Sequence, residues 1–168
     1  MTAIRLRAIE PEDVDFIYAC EEDRQSARWS DNRAPFSRNQ LAAYALTYDA
    51  DPFSAGQLRL IIDNQMGERV GILDLYDISE KDSRATVGIC IHPHHRKKGL
   101  ASRALEALLR FNRERLGLRQ LTAKVSTENE EGLRLFEKNG FKKIALLPEW
   151  HKIGGRFHDF VLFRTACD

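Results

Sequence analysis

Apolar and polar positions alternate with two different periods along this chain, and the change of period separates strands from helices. Ile4 to Ala8 alternates enough for a short first strand. Pro11 then stands where a first helical residue should, and Val14, Ile17 and Tyr18 follow at helical spacing. The polar stretch Ser26 to Pro35 reads as a loop, and a second helix is expected from about Arg38 to Leu46 with Ser37 as its cap. Strand-like segments come next: QLRLIID (57–63), VGILDLYDI (70–78) and ATVGICIH (85–92). The turn Asn64 to Glu68 joins the first pair and a polar connection, Asp77 to Arg84, joins the second, which predicts an antiparallel meander.

From Gly99 to Leu116 the period lengthens. Ala101, Ala104, Leu105, Leu108, Leu109 and Leu116 keep helical spacing, and Gly117 ends the run. Leu118 to Val125 reads as a strand. Thr127 opens a further helix, with Glu130 three residues on completing a capping box, and Asn139-Gly140 stops it. Phe141 to Leu147 and Arg156 to Arg164 close the chain as strands around a loop rich in Trp, His and Gly. The order β-α-α-β-β-β-α-β-α-β-β predicts an α/β (α+β) chain with a mixed sheet and helices on both faces. The crossover helix from residue 99 makes its two flanking strands parallel neighbours. No repeat or flexible linker interrupts the pattern, so residues 1–168 are expected to form a single domain.

Composition narrows the function classes. A content of 43% hydrophobic and 30% charged residues is that of an ordinary globular protein. With 26 basic and 25 acidic residues, the chain has no global field to hold nucleic acid or an anionic membrane, so any anion site must be local. Cys20, Cys90 and Cys167 are far apart and odd in number, which reads as free thiols in a reducing compartment. The opening MTAIRLRAIEPED lacks an apolar signal core, and no apolar run is long enough to span a bilayer; the expected location is cytoplasmic.

The candidate chemistry begins at His95-Arg96-Lys97-Lys98-Gly99-Leu100-Ala101-Ser102, which joins an apolar strand directly to a long amphipathic helix. The first N–H groups of a helix have no internal partners and can point at an anion. Gly99 tolerates positive φ and brings no Cβ near a phosphate, Ala101 is small, and Arg96, Lys97 and Lys98 add charge. A solvated basic turn would use the same tripeptide; the strand-to-helix position favours a diphosphate cradle. Walker and Rossmann glycine patterns are both missing. Further on, Asn129, Gly132, Leu133 and Phe136 share one helical face that carries an amide, a gap and a ring. Such a face suits a peptide-like linker, or equally a plain core-facing helix.

These residues together resemble the GNAT superfamily of N-acetyltransferases, whose R/Q-x-x-G-x-G/A signature is matched by Arg96, Gly99 and Ala101. The run from Asn129 to Gly140-Phe141, the opening Ile4-Arg5-Leu6-Arg7 with Glu10-Pro11-Glu12-Asp13, and the ending Gly155-Arg156-Phe157-His158-Asp159 resemble its ribosomal-protein and polyamine branch. The resemblance implies the GNAT fold, a mixed, mostly antiparallel seven-stranded sheet. It also implies acetyl-CoA as cosubstrate, with the main chain of Ile89, Cys90 and Ile91 pairing with the pantetheine arm and a bulge at Gly88 splaying that strand. The turn from Arg96 to Ser102, Leu100 included, would hold the diphosphate, and Asn129, Gly132 and Phe136 would line the other side.

The implied reaction is direct attack by a primary amine, most readily a polyamine or diamine such as spermidine, with Cys90 structural. A protein N-terminal amine and a CoA-binding module without turnover are the alternatives. Phe136 stands where many members carry a tyrosine that protonates the departing thiolate, and Ser126 is a substitute donor. Thr86 stands where the polyamine branch has a glutamate, so the base candidates are Asp74 or a water held by Asp74 and Tyr76. Asp74 could equally be a strand-end residue facing solvent. Trp29, Asp31, Trp150 and His151 lie in the two loops expected to flank the acceptor mouth. His92, His94 and His95 cluster around Pro93 but fit no metal-ligand spacing, so no metal is expected. The expected partner is a small amine or a peptide N-terminus, and a homo-oligomer is compatible with all of these features.

Overall fold

The alternation of each central strand decides which helices lie on which face. The computed structural model describes residues 3–29, 34–47 and 51–167. Strand β1 (Arg5–Ala8) leads through a 3-10 turn, Pro11–Asp13, into α1 (Val14–Glu22), α2 (Arg24–Ala27), α3 (Arg38–Thr47) and α4 (Pro52–Ala55). The strands β2 (Leu58–Asp63), β3 (Arg69–Ser79) and β4 (Arg84–Ile91) follow, then α5 (Leu100–Phe111) and β5 (Gln120–Ser126). The chain closes with α6 (Glu130–Lys138), β6 (Lys142–Ile153) and β7 (Arg156–Ala166). One seven-stranded sheet results, in the order β1-β2-β3-β4-β5-β7-β6. All neighbours are antiparallel except β4 and β5, which the α5 crossover makes parallel.

Leu58, Leu60 and Ile62 of β2 share a core with Leu73, Leu75, Ala85 and Val87 of the next strands and with Ala104, Leu105 and Leu108 of α5. Ile61 and Ile72 point the other way, onto Ile17 and Cys20 of α1 and Leu41 of α3. A period of two thus supplies both layers from the same strands. At the far end of α5 the last turn widens, and Gly117 N–H donates to the Asn112 carbonyl at 2.7 Å. The wholly buried Asn112 side chain donates to the Leu118 carbonyl at 2.8 Å and accepts from the Leu118 N–H at 3.1 Å. This exchange fixes the corner from which β5 runs beside β4.

The parallel pairing is brief. Only Arg84↔Gln120, Ala85↔Leu121 and Thr86↔Thr122 are opposed, whereas β4 stays paired to β3 as far as Ile91. The sequence places a bulge at Gly88, and the structure corrects this: Asp74↔Gly88 pair without a shift, and the irregularity lies between Tyr76 and Ser79. A Cβ at Gly88 would meet Asp74 and Tyr76 carbons at an ordinary 3.7 Å, so no crowding forces a bulge there. The splay arises because β5 follows β7 through to Ser126 instead of β4.

Four element boundaries also differ. β3 continues to Ser79, so the polar connection shrinks to the turn before Arg84. Ser26 and Ala27 belong to α2, because the Asp23 carboxylate caps that turn by accepting from Ser26 N–H at 2.9 Å. The helix expected from Thr127 begins at Glu130, with Asn129 as its cap accepting from Gly132 N–H at 3.0 Å. Thr127 is drawn off by the Asp159 carbonyl, which accepts from its N–H and its hydroxyl. The supposed Trp/His/Gly loop is mostly strand, because Gly154 and Gly155, at φ 58° and 82°, make a two-residue hairpin turn.

Asp13 ties the first strand to the sheet and yields a stability prediction. Its buried carboxylate accepts from Arg7 at 2.7 and 2.9 Å, from Arg69 at 2.7 Å and from the Glu10 N–H at 2.8 Å. Burial pushes this carboxyl up, but the Arg7 bonds, the Glu10 N–H and the two cationic charges outweigh it and hold it below the usual range. A depressed folded value means that the contribution is present above pH ~4 and is lost as the pH falls below that. Asp13→Ala takes the ion pair from Arg69 and one of two carboxylate partners from Arg7, which keeps Asp63 at 2.7 Å, and is expected to cost about 1.5–3 kcal/mol in urea unfolding at neutral pH. In acid the difference from the unaltered chain should narrow.

Candidate active site

Where β4 and β5 diverge, the sheet opens into a cleft of about 1090 Å³ that runs from the start of α5 to the middle of β2 and β3. At one end stands the basic turn. Lys97 and Gly99 are both left-handed, at φ 61° and 73°, and this double twist delivers the chain into α5 with its first N–H groups turned outward. Lys97, Gly99, Leu100, Ala101 and Ser102 line the cleft. The Ser102 hydroxyl accepts from the Asn139 side chain at 3.0 Å and so couples the start of α5 to the end of α6. Lys98 is turned away, and its ammonium donates to the His94 carbonyl at 3.1 Å. His92 stacks on Phe16 with centroids 5.5 Å apart, and its Nδ1 accepts from the His94 N–H.

Arg96 has a different task from the phosphate contact expected of its charge. Its guanidinium donates to the Ile91 carbonyl at 2.9 Å, to Gln25 at 2.8 Å, to the Ser26 hydroxyl at 2.9 Å and to the Asp23 carboxylate. With four of its five donors engaged inside the protein, Arg96 clamps α2 to the end of β4, where it also lines the cleft. The Ile91 carbonyl is thereby engaged; the ladder to β3 takes the main chain of Gly88 and Cys90, so the free edge toward β5 is Ile89 and the Ile91 N–H.

Cys90 faces α1 and α2. Its sulfur lies 3.2 Å from the Ser26 hydroxyl. The Cys20 thiol packed beside this sulfur, together with Ser26 and the Arg96 charge, outweighs burial, so Cys90 is lowered to about 7 while Cys20 is pushed up. Alkylation of Cys90 is therefore expected to rise through pH 7 and level off about a unit above, because the thiolate is the nucleophile. Cys20, buried and raised, should stay unlabelled; peptide mapping after iodoacetamide at several pH values checks both.

The opposite wall is α6 and the loop before it. Asn129 spends its side-chain oxygen on the helix cap, which leaves its amide N–H groups for a ligand. Gly132 lines the cleft, and a Cβ there would stand 2.7 Å from the Asn129 Nδ2 and 2.9 Å from Val125. The missing side chain lets the cap and β5 pack together. Phe136 is buried against Phe141 and Phe163, with centroids 5.0 and 5.9 Å away, and shows only a margin to the cleft. Ser126 is 1% exposed; its oxygen accepts from the Glu128 N–H at 3.2 Å, so its own O–H remains to donate.

The remaining end holds the acceptor candidates. Asp74 and Tyr76 line it, as do Trp29 and His151, the latter edge-on to Phe160 at 4.6 Å. Trp150 is 49% exposed and absent from the lining, because it stands on β6 with its side chain outside. Asp31 lies outside the described residues. Both oxygens of Asp74 accept from Arg59, at 2.7 and 2.9 Å, and Arg59 donates further to Glu21 at 3.0 Å. Arg59 was not singled out by sequence reasoning. The available signal was an arginine in the middle of an apolar strand, at a position that faces α1 and α3.

Comparison with known proteins agrees with this geometry. The profile of the acetyltransferase (GNAT) domain matches residues 3–142. The uncharacterized N-acetyltransferase p20 of Bacillus licheniformis is 28% identical over 162 residues, covering 95% of this chain and 90% of that protein. The spermidine N(1)-acetyltransferase of Escherichia coli is 26% identical over 161 residues, 95% of this chain and 83% of its own length. The crystal structure of spermidine N-acetyltransferase from Vibrio cholerae in complex with CoA and spermine superposes with a TM-score of 0.88 at 23% identity, over 97% of this chain and 95% of that one. A profile match of that extent, on a sheet of that topology, makes this chain a member of the GNAT acetyltransferase family.

Proposed function

We propose that the chain transfers the acetyl group of acetyl-CoA to a primary amine, with diamines and polyamines as the acceptor class. The carrying observation is the continuity of the cleft: one opening joins the outward N–H groups of Lys97 to Ser102 with the carboxylates of Glu21 and Asp74. Acetyl-CoA supplies an activated thioester. The N–H groups at the start of α5 would hold its diphosphate, the edge of Ile89 to Ile91 would pair with the pantetheine arm, and Asn129 would close the other side. Likeness to the Escherichia coli spermidine enzyme supports the amine class.

An alkyl amine, with a pKa of about 10.4, arrives as ammonium and must lose a proton before it attacks. Each Asp74 oxygen already accepts one bond from Arg59 but keeps a second lone pair. A water between Asp74 and Tyr76 can therefore receive that proton and relay it. The amine nitrogen then bonds to the acetyl carbon, and the C–S bond breaks with the sulfur leaving as thiolate. The nitrogen, now cationic, gives its second proton to the thiolate or to solvent to become the amide. A thiol titrates at roughly 8.5, so departure near neutrality does not depend on Phe136, which cannot donate; Ser126 O–H is the nearby donor. Cys90 stays out of the acetyl path, engaged with Ser26 and Cys20.

A thiol-release assay with acetyl-CoA tests this reading. Release is expected with putrescine, spermidine or spermine and not with peptides bearing a free N-terminus. Release with the peptides alone would overturn the acceptor class, and CoA binding without release to any acceptor would overturn the reaction.

A further inference from the structure

We propose that Arg59 limits the positive charge an acceptor can carry, and so tunes the cleft toward diamines over longer polyamines; this rests on the amine acceptors proposed above. Arg59, Asp74 and Gly88 are directly opposed on β2, β3 and β4, and all three face the α1 and α3 layer. The row leads from the β4–β5 splay across Gly88, where no side chain obstructs, to Asp74 and then to Arg59. An acceptor whose reacting amine sits at the splay, beside the Asp74 relay, thus extends its remaining chain along this row toward Glu21 and Arg59.

Beyond Asp74 it meets a cation. The Arg59 guanidinium is 19% exposed and is held by Asp74 through both oxygens and by Glu21 at 3.0 Å. Its donors fill the space between the two carboxylates that a second distal ammonium would need. A tetra-amine must therefore bring its outer ammonium groups against like charge in a partly desolvated cleft, whereas a diamine stops short of it. Without Arg59, this end of the cleft is one unit more negative and Asp74 and Glu21 both accept from the ligand. Without the Glu21 charge it is one unit more positive. The argument compares variants with the unaltered cleft and needs no absolute count of charge.

The test is the ratio of kcat/KM for spermine to that for putrescine, measured at one fixed low salt. A change in the shared proton relay affects both acceptors alike and cancels in the ratio. Arg59→Gln is expected to raise the ratio about ten-fold, a difference of roughly 1.4 kcal/mol, and Glu21→Gln is expected to lower it. Both shifts should shrink at high salt. A ratio unmoved in Arg59→Gln, with turnover of both amines retained, would overturn the proposal. Should Arg59→Gln fail to fold by circular dichroism, an unmoved or raised ratio in Glu21→Gln overturns it instead. Failure of the underlying acceptor reading looks different: the unaltered chain would then acetylate neither amine.

Discussion

Gly71→Ala is expected to damage both stability and acetyl-CoA binding, the largest combined effect of any single methyl group at the sites described here. A Cβ at Gly71 would run into the Cys90 carbonyl oxygen, with Ile91 and Ile62 side-chain carbons at 2.9 and 3.2 Å. The side chains can rotate aside, but the carbonyl belongs to the β3–β4 ladder, where Gly71 is paired with Ile91. Relief therefore requires β4 to shift where its edge faces the cleft. Overpacking of this kind costs about 1–3 kcal/mol, and more when backbone must move. Urea unfolding should show the loss, and calorimetric titration should show weaker CoA binding in the protein that remains folded. Unchanged values in both measurements would mean that β3 and β4 are not so closely apposed.

Gly99→Leu acts on the same substrate without touching the core. A Cβ at Gly99 would have nothing within 4 Å, so the obstacle is φ 73°, not space. An L-residue in that conformation costs roughly 1–2 kcal/mol, and relaxing it swings the first N–H groups of α5 away from the cleft. The apparent KM for acetyl-CoA is expected to rise about ten-fold or more, while the strain lowers the melting temperature by only about 2–8 °C and leaves the fold intact. Gly99→Asn, which tolerates the left-handed region, should show a smaller rise. A normal KM in Gly99→Leu would contradict the diphosphate cradle.

Local signals in the sequence were legible where a local cause sufficed. The period of two in QLRLIID and VGILDLYDI placed β2 and β3 within a residue or two, and Ser37 caps α3 as expected, accepting from Gln40 N–H at 3.1 Å. The crossover from Gly99 correctly implied the parallel β4–β5 pair, since handed α/β connections leave few alternatives. Long-range partners were not legible. Arg96 reads as a phosphate ligand because its charge is visible, whereas its bonds to Asp23, Gln25 and Ser26, about seventy residues earlier, leave no local signal. Gly132 reads as a gap for a ligand because the side chains of Asn129 and Val125 that fill it depend on how α6 packs on β5. The proton relay is in the same position: Asp74 looked isolated until β2 brought Arg59 to both of its oxygens.

The shared consequence is that charge on this cleft is arranged by pairing. Arg96 and Arg59 each hold carboxylates at one end of it, Asp23 at the α2 side and Asp74 with Glu21 at the acceptor side. That leaves main-chain groups to bind the coenzyme and a narrow charge window for the amine. A crystal structure of the chain with CoA tests this most directly. The account predicts the diphosphate on the N–H groups of Lys97 to Ser102, the pantetheine arm along Ile89 to Ile91, and the Arg96 guanidinium still on Asp23 and Ser26. CoA bound away from the β4–β5 splay, or a diphosphate held by the Arg96 side chain, would contradict it.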